Sequence, residues 1–355
     1  MKRIYYLFAA AVFIAGCNTK LPKIAFSGNV TGAKDAVIIV TDADGNNIAG
    51  QNITNGSFKM DTVFENPGYG KVSIKQTGSD DYPMEVYLEA GQYTLEADAA
   101  HLDRYPKITS SSAIQNELTA YYTIQDELSL KAHHKVVGKL EPGETDIDRL
   151  KLKAFRQFIN KHPNSTAATH IMLGLQYERD VQPYYEIYNK LSQAAKSSEE
   201  GKFVGKKLAG MMKLLPGAKA PDIAGTTPDG AKFDKTKLDK KVYVLEVWKA
   251  GNQISRMNHK DIIDGMLKNL DNKKAGFIGI SLDSKRDWWT KAIADDKVTW
   301  PQYADLKGDE SANAQQWAIN KIPTYYVLNG KWEIIERDAS FSRLEFIVRD
   351  YLAHH

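Results

Sequence analysis

Cysteine is all but absent from this chain of 355 residues; the single one, Cys17, lies near the start. One thiol permits no intramolecular disulfide, so stability must come from burial, and no thiol remains beyond position 17. An excess of one charge is also missing. Lys and Arg number 47 against 44 Asp and Glu, and no block of like charge stands out, so no nucleic-acid partner is expected. Apart from one stretch before Cys17, there is no long apolar run. What is present is a chain with 43% hydrophobic residues, long enough to bury two or three cores.

The stretch before Cys17 reads as a secretory leader over residues 1–16. Lys2 and Arg3 form a positive start and Ile4 to Ile14 an apolar run. That run is shorter than the roughly 20 residues a spanning helix needs. The junction Ile14-Ala15-Gly16-Cys17 resembles the lipobox of bacterial lipoproteins. The resemblance implies a diacylglyceryl thioether on Cys17 and cleavage just before it, followed by a lipidated tether over 17–23. Each buried CH₂ adds about 0.8 kcal/mol, so acyl chains on Cys17 would anchor the chain to a membrane. Two of the three net positive charges leave with Lys2 and Arg3, so the mature chain is close to neutral. Asn18-Thr19-Lys20 carries no acidic run of the kind associated with surface export, which favours the periplasmic face of the outer membrane.

Three regions are expected after the tether. Residues 24–105 alternate apolar and polar positions between turn signals at Asp44-Gly45, Asn55-Gly56 and Ala90-Gly91, the pattern of an all-β, sandwich-like domain. This part resembles the small β-rich domain of unknown function that precedes thioredoxin-like domains in lipoproteins of the Bacteroidetes type. Residues 106–214 space their apolar residues three and four apart and predict an α-helical middle region. Its tyrosines Tyr184, Tyr185 and Tyr188 are expected to pack between helices more readily than to line a ligand groove. The histidines His133, His134, His162 and His170 lack ligand spacing, and no metal or cofactor is expected.

Residues 215–355 read as βαβ, an α/β domain. Gly217 to Asp222 supplies a G-x-x-A-P-D opening, Val242 to Trp248 a buried central strand, and Ile322-Pro323-Thr324 a proline loop. With Trp248 and Arg256 bracketing the intervening motif, this stretch resembles the TlpA/ResA-like branch of the thioredoxins. The family's C-x-x-C falls on Asn252-Gln253-Ile254-Ser255, so Asn252 and Ser255 replace both cysteines. Disulfide exchange requires an attacking thiolate and a second sulfur to resolve the mixed disulfide. An amide and a hydroxyl supply neither, so thiol–disulfide catalysis by this chain alone is excluded.

What remains at the site can be weighed residue by residue. Asn252 precedes a helical pattern and is expected to act as its N-cap, its side chain accepting from the Ser255 N–H. Ser255 and His259 lie four apart on one helix, a poor arrangement for nucleophilic catalysis, and no orienting acid is evident. The resemblance implies that Glu246 stands where many thioredoxins keep a buried acid for the proton of the buried cysteine; here it is a relic or serves a polar ligand. It also implies a cis peptide at Pro323, beside which a substrate segment pairs in extended form. The corresponding groove would be lined by Trp248, Gly251, Asn252, Ile322 and Pro323 and bind an extended peptide or envelope protein without covalent capture. Two other readings compete: an oxidoreductase-related protein that needs a partner's thiols, and an envelope assembly or stress factor that binds through its helical region.

Overall fold

A computed structural model describes residues 23–64, 66–133, 146–178 and 180–355. Cys17, the leader, most of the tether and His134 lie outside the described residues, as does the His133 side chain. The described residues divide into two compact units, with the break between Phe158 and Ile159.

The first unit contains β1 (Lys23–Thr31), β2 (Ala36–Asp42), β3 (Asn47–Ile53), β4 (Ser57–Val63), β5 (Gly68–Gln76), β6 (Met84–Leu88), β7 (Gly91–Asp98) and β8 (Lys107–Ser110). They form two four-stranded sheets, ordered β4-β1-β7-β8 and β3-β2-β5-β6. Inward positions of both sheets share one core, with Ile24 and Phe26 on one side and Ile38, Val40 and Val72 on the other. This is why the alternation is so regular: one face of each strand is buried and the other meets water. Asn55 and Gly56 both adopt left-handed φ, 52° and 77°, as a two-residue turn between β3 and β4 requires. At Gly28 on β1 a side chain would overlap the Leu95 carbonyl of β7, with which β1 pairs in parallel.

Strand content continues past residue 105, because β8 pairs antiparallel with β7 before α1 (Ala113–His133) begins. The helical stretch does not form a body of its own. The division between the two units falls inside α2 (Asp146–Lys161), and α3 (Ala168–Leu173), α4 (Val181–Lys190), α5 (Gln193–Ser197) and α6 (Glu199–Met212) belong to the second unit. Within it Tyr184 is buried and Tyr188 donates to the Gly201 carbonyl at 3.0 Å, so both serve helix packing.

The second unit is an α/β fold around a five-stranded sheet of β9 (Val242–Trp248), β10 (Ala275–Ser281), β11 (Gln302–Ala304), β12 (Thr324–Asn329) and β13 (Ile334–Glu336). The order is β11-β10-β9-β12-β13. β9, β10 and β11 are parallel, whereas β12 runs antiparallel to β9 and β13 to β12. Every residue of the central β9 is buried, so the strand is a near-continuous apolar run. Its odd and even positions serve two cores: Tyr243, Leu245 and Val247 pack on one face, Val242 and Val244 on the other. The helices that follow are α7 (Gln253–Asp261), α8 (Leu267–Asn269), α9 (Arg286–Asp295), α10 (Ala312–Gln316) and α11 (Leu344–His354). Between α7 and α8 the backbone makes a π turn, Ile262–Met266.

Candidate functional site

β9 ends at Trp248, the chain turns through Ala250 and Gly251, and α7 starts at once. Asn252 is its N-cap, with extended backbone angles and a side-chain oxygen that accepts from the Ser255 N–H at 2.9 Å. The other end of the same amide donates to the carbonyl oxygen of Ile322, 3.3 Å away, and the Ile322–Pro323 peptide is cis. One side chain thus ties the start of the helix to the proline loop ahead of β12. Gly251 is exposed, and Asn252, Ile322 and Pro323 are partly so. Ile254 and Met257, three apart on α7, are each 59% exposed and present an apolar face beside this junction.

Trp248 does not belong to that surface. It is fully buried, its indole N–H donates to Gln302 at 2.8 Å, and its ring meets the His259 imidazole edge-on with centroids 4.5 Å apart. With both faces of β9 covered, its last side chain has no route to solvent, so Trp248 does not line the groove expected from the sequence. Ser255, the second position of the emptied motif, is likewise fully buried, and its Oγ has no hydrogen-bond partner.

Beneath the motif lies a polar cluster that sequence spacing did not reveal. Glu246 is fully buried and accepts from the Tyr325 hydroxyl at 3.1 Å, which in turn accepts from the Asn258 amide at 2.9 Å. The second Glu246 oxygen stands 3.2 Å from His259 Nε2, close enough for an ion pair but without hydrogen-bond alignment. His259 Nδ1 faces Asp296 at 2.8 Å, and Arg256 binds the same carboxylate through Nη2 at 2.6 Å and through Nε. Burial pulls the His259 pKa down, but the Glu246 carboxylate beside it, then Asp296, outweigh burial and leave the imidazole above its usual value. For Asp296 burial acts upward and is outweighed by Arg256 and His259, so its carboxyl ionises below the usual range. Burial, then the Glu246 charge, pushes the Tyr325 phenol well above its ordinary range.

This arrangement decides the Ser255–His259 question. Two acids do lie next to His259, yet Ser255 Oγ hydrogen-bonds to neither ring nitrogen: Nδ1 is engaged by Asp296, and Nε2 faces Glu246 at 3.2 Å. A general base must reach the proton it abstracts, so the pair is not a nucleophile and its base. Among the described residues no group of His, Cys, Asp and Glu has the arrangement of a metal site, and His170 is engaged by Glu200 at 2.6 Å.

No family model and no curated protein matches the chain. Among solved structures it is similar to a thiol-disulfide oxidoreductase from Bacteroides fragilis, at 25% identity over 37% of this chain and 98% of that one, with a TM-score of 0.35. A thiol:disulfide interchange protein from a Bacteroides species is 22% identical over 40% of this chain and 93% of that one, with a TM-score of 0.36. A thioredoxin-like protein from Bacteroides caccae is 20% identical over 59% of this chain and 80% of its own, with a TM-score of 0.45.

Proposed function

We propose that the thioredoxin-like part of this chain is a noncovalent binding module for an extended peptide or a partner protein of the cell envelope, and that it performs no thiol chemistry. The observation that carries this reading is the dual engagement of Asn252. Where a thiolate would sit, an amide caps α7 and holds the Ile322 carbonyl, so the junction is kept in shape with no sulfur in it. The exposed Ile254 and Met257 beside it supply apolar surface for a partner. The groove is therefore assigned to Gly251, Asn252, Ile322 and Pro323, with Ile254 and Met257 in place of the buried Trp248. Lipid on Cys17 would hold the protein on the periplasmic face of the outer membrane, a reading supported by the leader and lipobox pattern.

The test has three arms. Purified protein should fail to reduce insulin, and turnover would overturn the binding-only reading. Photocrosslinkers at positions 251 and 322 should capture a partner in envelope preparations where one at the exposed Gln182 of α4 does not. The reverse pattern would move the contact surface to the helices. Mass spectrometry of the mature N-terminus should find acyl chains on Cys17, and an unmodified Cys17 rules out the anchor.

A further inference from the structure

On the sheet face opposite α7, a cavity of about 320 Å³ lies among the loop after α3, the loop before β12 and the end of β13. Side chains alternate along β12. Tyr325 points toward Glu246 and α7, so Thr324 and Tyr326 face the other way and form part of the cavity wall. The volume is at the lower end for small-molecule sites.

The charges of the lining are unevenly matched. Lys321 and Asp338 satisfy each other at 2.9 Å. Arg337 donates through Nη2 to the backbone carbonyl of Glu178 at 2.6 Å, but its Nε is buried with no acceptor. Among the described residues no carboxylate pairs with the Arg337 guanidinium, and no cation pairs with the Glu178 carboxylate. Lys207 senses the Glu178 charge without pairing with it, its amine being held by Asn320. Arg337, whose guanidinium has no carboxylate partner among the described residues, and Glu178, whose carboxylate has no cation partner among them, therefore line the same cavity.

A part-buried guanidinium without a counter-ion is costly, and a carboxylate placed against the part of it that faces the cavity supplies charge-assisted bonds. A ligand carrying only negative charge would be opposed by Glu178, whereas one that also carries an ammonium would be drawn to it. We propose that this cavity binds a small zwitterion, a free amino acid or dipeptide, with its carboxylate on Arg337 and its ammonium toward Glu178. The site is separate from the groove at Asn252 and does not depend on the function assigned there.

Titration calorimetry on the full mature chain tests this with alanine and dialanine as probes, and acetate, methylammonium and inorganic phosphate as controls. Alanine or dialanine should bind, with the controls at least roughly tenfold weaker, because each lacks one of the two charges. Acetate or phosphate binding as tightly as alanine, or no binding of either zwitterion, would overturn the proposal. Arg337→Gln should weaken alanine binding roughly tenfold or more while circular dichroism stays unchanged. If that variant fails to fold, Glu178→Gln decides, since it spares the backbone carbonyl that Arg337 uses. Unchanged alanine affinity in a folded variant of either kind sinks the assignment.

Discussion

The Asn252 amide nitrogen and the Ile322 carbonyl oxygen lie 3.3 Å apart, joining the first residue of the emptied motif to the proline loop. Its oxygen is simultaneously the cap of α7. Asn252→Ala removes both bonds and should cost about 1 kcal/mol for the cap. Asn252→Asp keeps an acceptor for the Ser255 N–H, adds charge at a helix N-terminus where it is favoured, and loses only the donor to Ile322. Denaturant unfolding should therefore rank wild type and Asn252→Asp close together, with Asn252→Ala below. Equal stability of all three would mean that the cap contributes nothing. Because Asn252→Ala also frees the Ile322 carbonyl, crosslinking from position 322 to an extended partner should rise in that variant.

Restoring sulfur is the complementary experiment. The three-residue spacing of positions 252 and 255 at the start of α7 is intact, and a helix N-terminus lowers a thiol pKa. The double substitution Asn252→Cys with Ser255→Cys should form an internal disulfide and gain insulin-reducing activity relative to the natural chain. Thiol titration before and after reduction reads the first outcome and insulin turbidity the second. A double variant whose thiols stay free under oxidant would show that the two positions do not meet as the resemblance implies.

Much of this was legible in the sequence where the cause is local. The β1–β7 alternation follows from one buried face per strand, Asn55-Gly56 from left-handed φ, and the Asn252 cap from an acceptor placed just before a helical period. β8 was not legible: Lys107–Ser110 is four residues long, runs into a Ser-rich break, and is a strand only because β7 offers it an edge. The burial of Trp248 is not legible because a near-continuous apolar strand does not reveal which of its ends is covered. The cluster around His259 was invisible for a different reason. Its bond to Asp296 joins residues 37 apart, and neither α7 nor α9 carries a spacing signal for the other. Such contacts exist only once the helices pack on the sheet.

Gly28 offers a test of the first unit. β1 pairs with both β4 and β7, and at Gly28 an added Cβ would overlap the Leu95 backbone carbonyl and press on the Phe58 ring. Backbone cannot yield as a side-chain tip can, so Gly28→Ala should destabilise the first unit by about 1–3 kcal/mol, the usual cost of overpacking. Thermal unfolding followed by circular dichroism should show the loss as a lowered transition. A substitution without effect would place β1 further from β7 than the parallel register allows.

The paired carboxylates around His259 carry a pH signature whose sign can be worked out. The folded imidazole has its pKa above the ordinary 6.5, since Glu246 and Asp296 together overcome burial. A base held more tightly protonated in the folded state stabilises that state fully below about 6.5, and the contribution disappears as pH climbs through the raised folded value. Asp296 behaves oppositely: its folded pKa lies below the ordinary 3.8, so its contribution is present above 3.8 and is lost as pH falls through the lowered folded value. Unfolding free energy should therefore decline on the alkaline side of 6.5 and again on the acid side of 3.8. Asp296→Asn removes one of the two acids from the imidazole, lowers its pKa, and should move the alkaline decline toward lower pH. His259→Gln should abolish that decline altogether. NMR titration of the His259 ring, in step with denaturant unfolding across the same range, checks both statements. An imidazole titrating below 6.5 would mean that burial, not the two carboxylates, controls this centre.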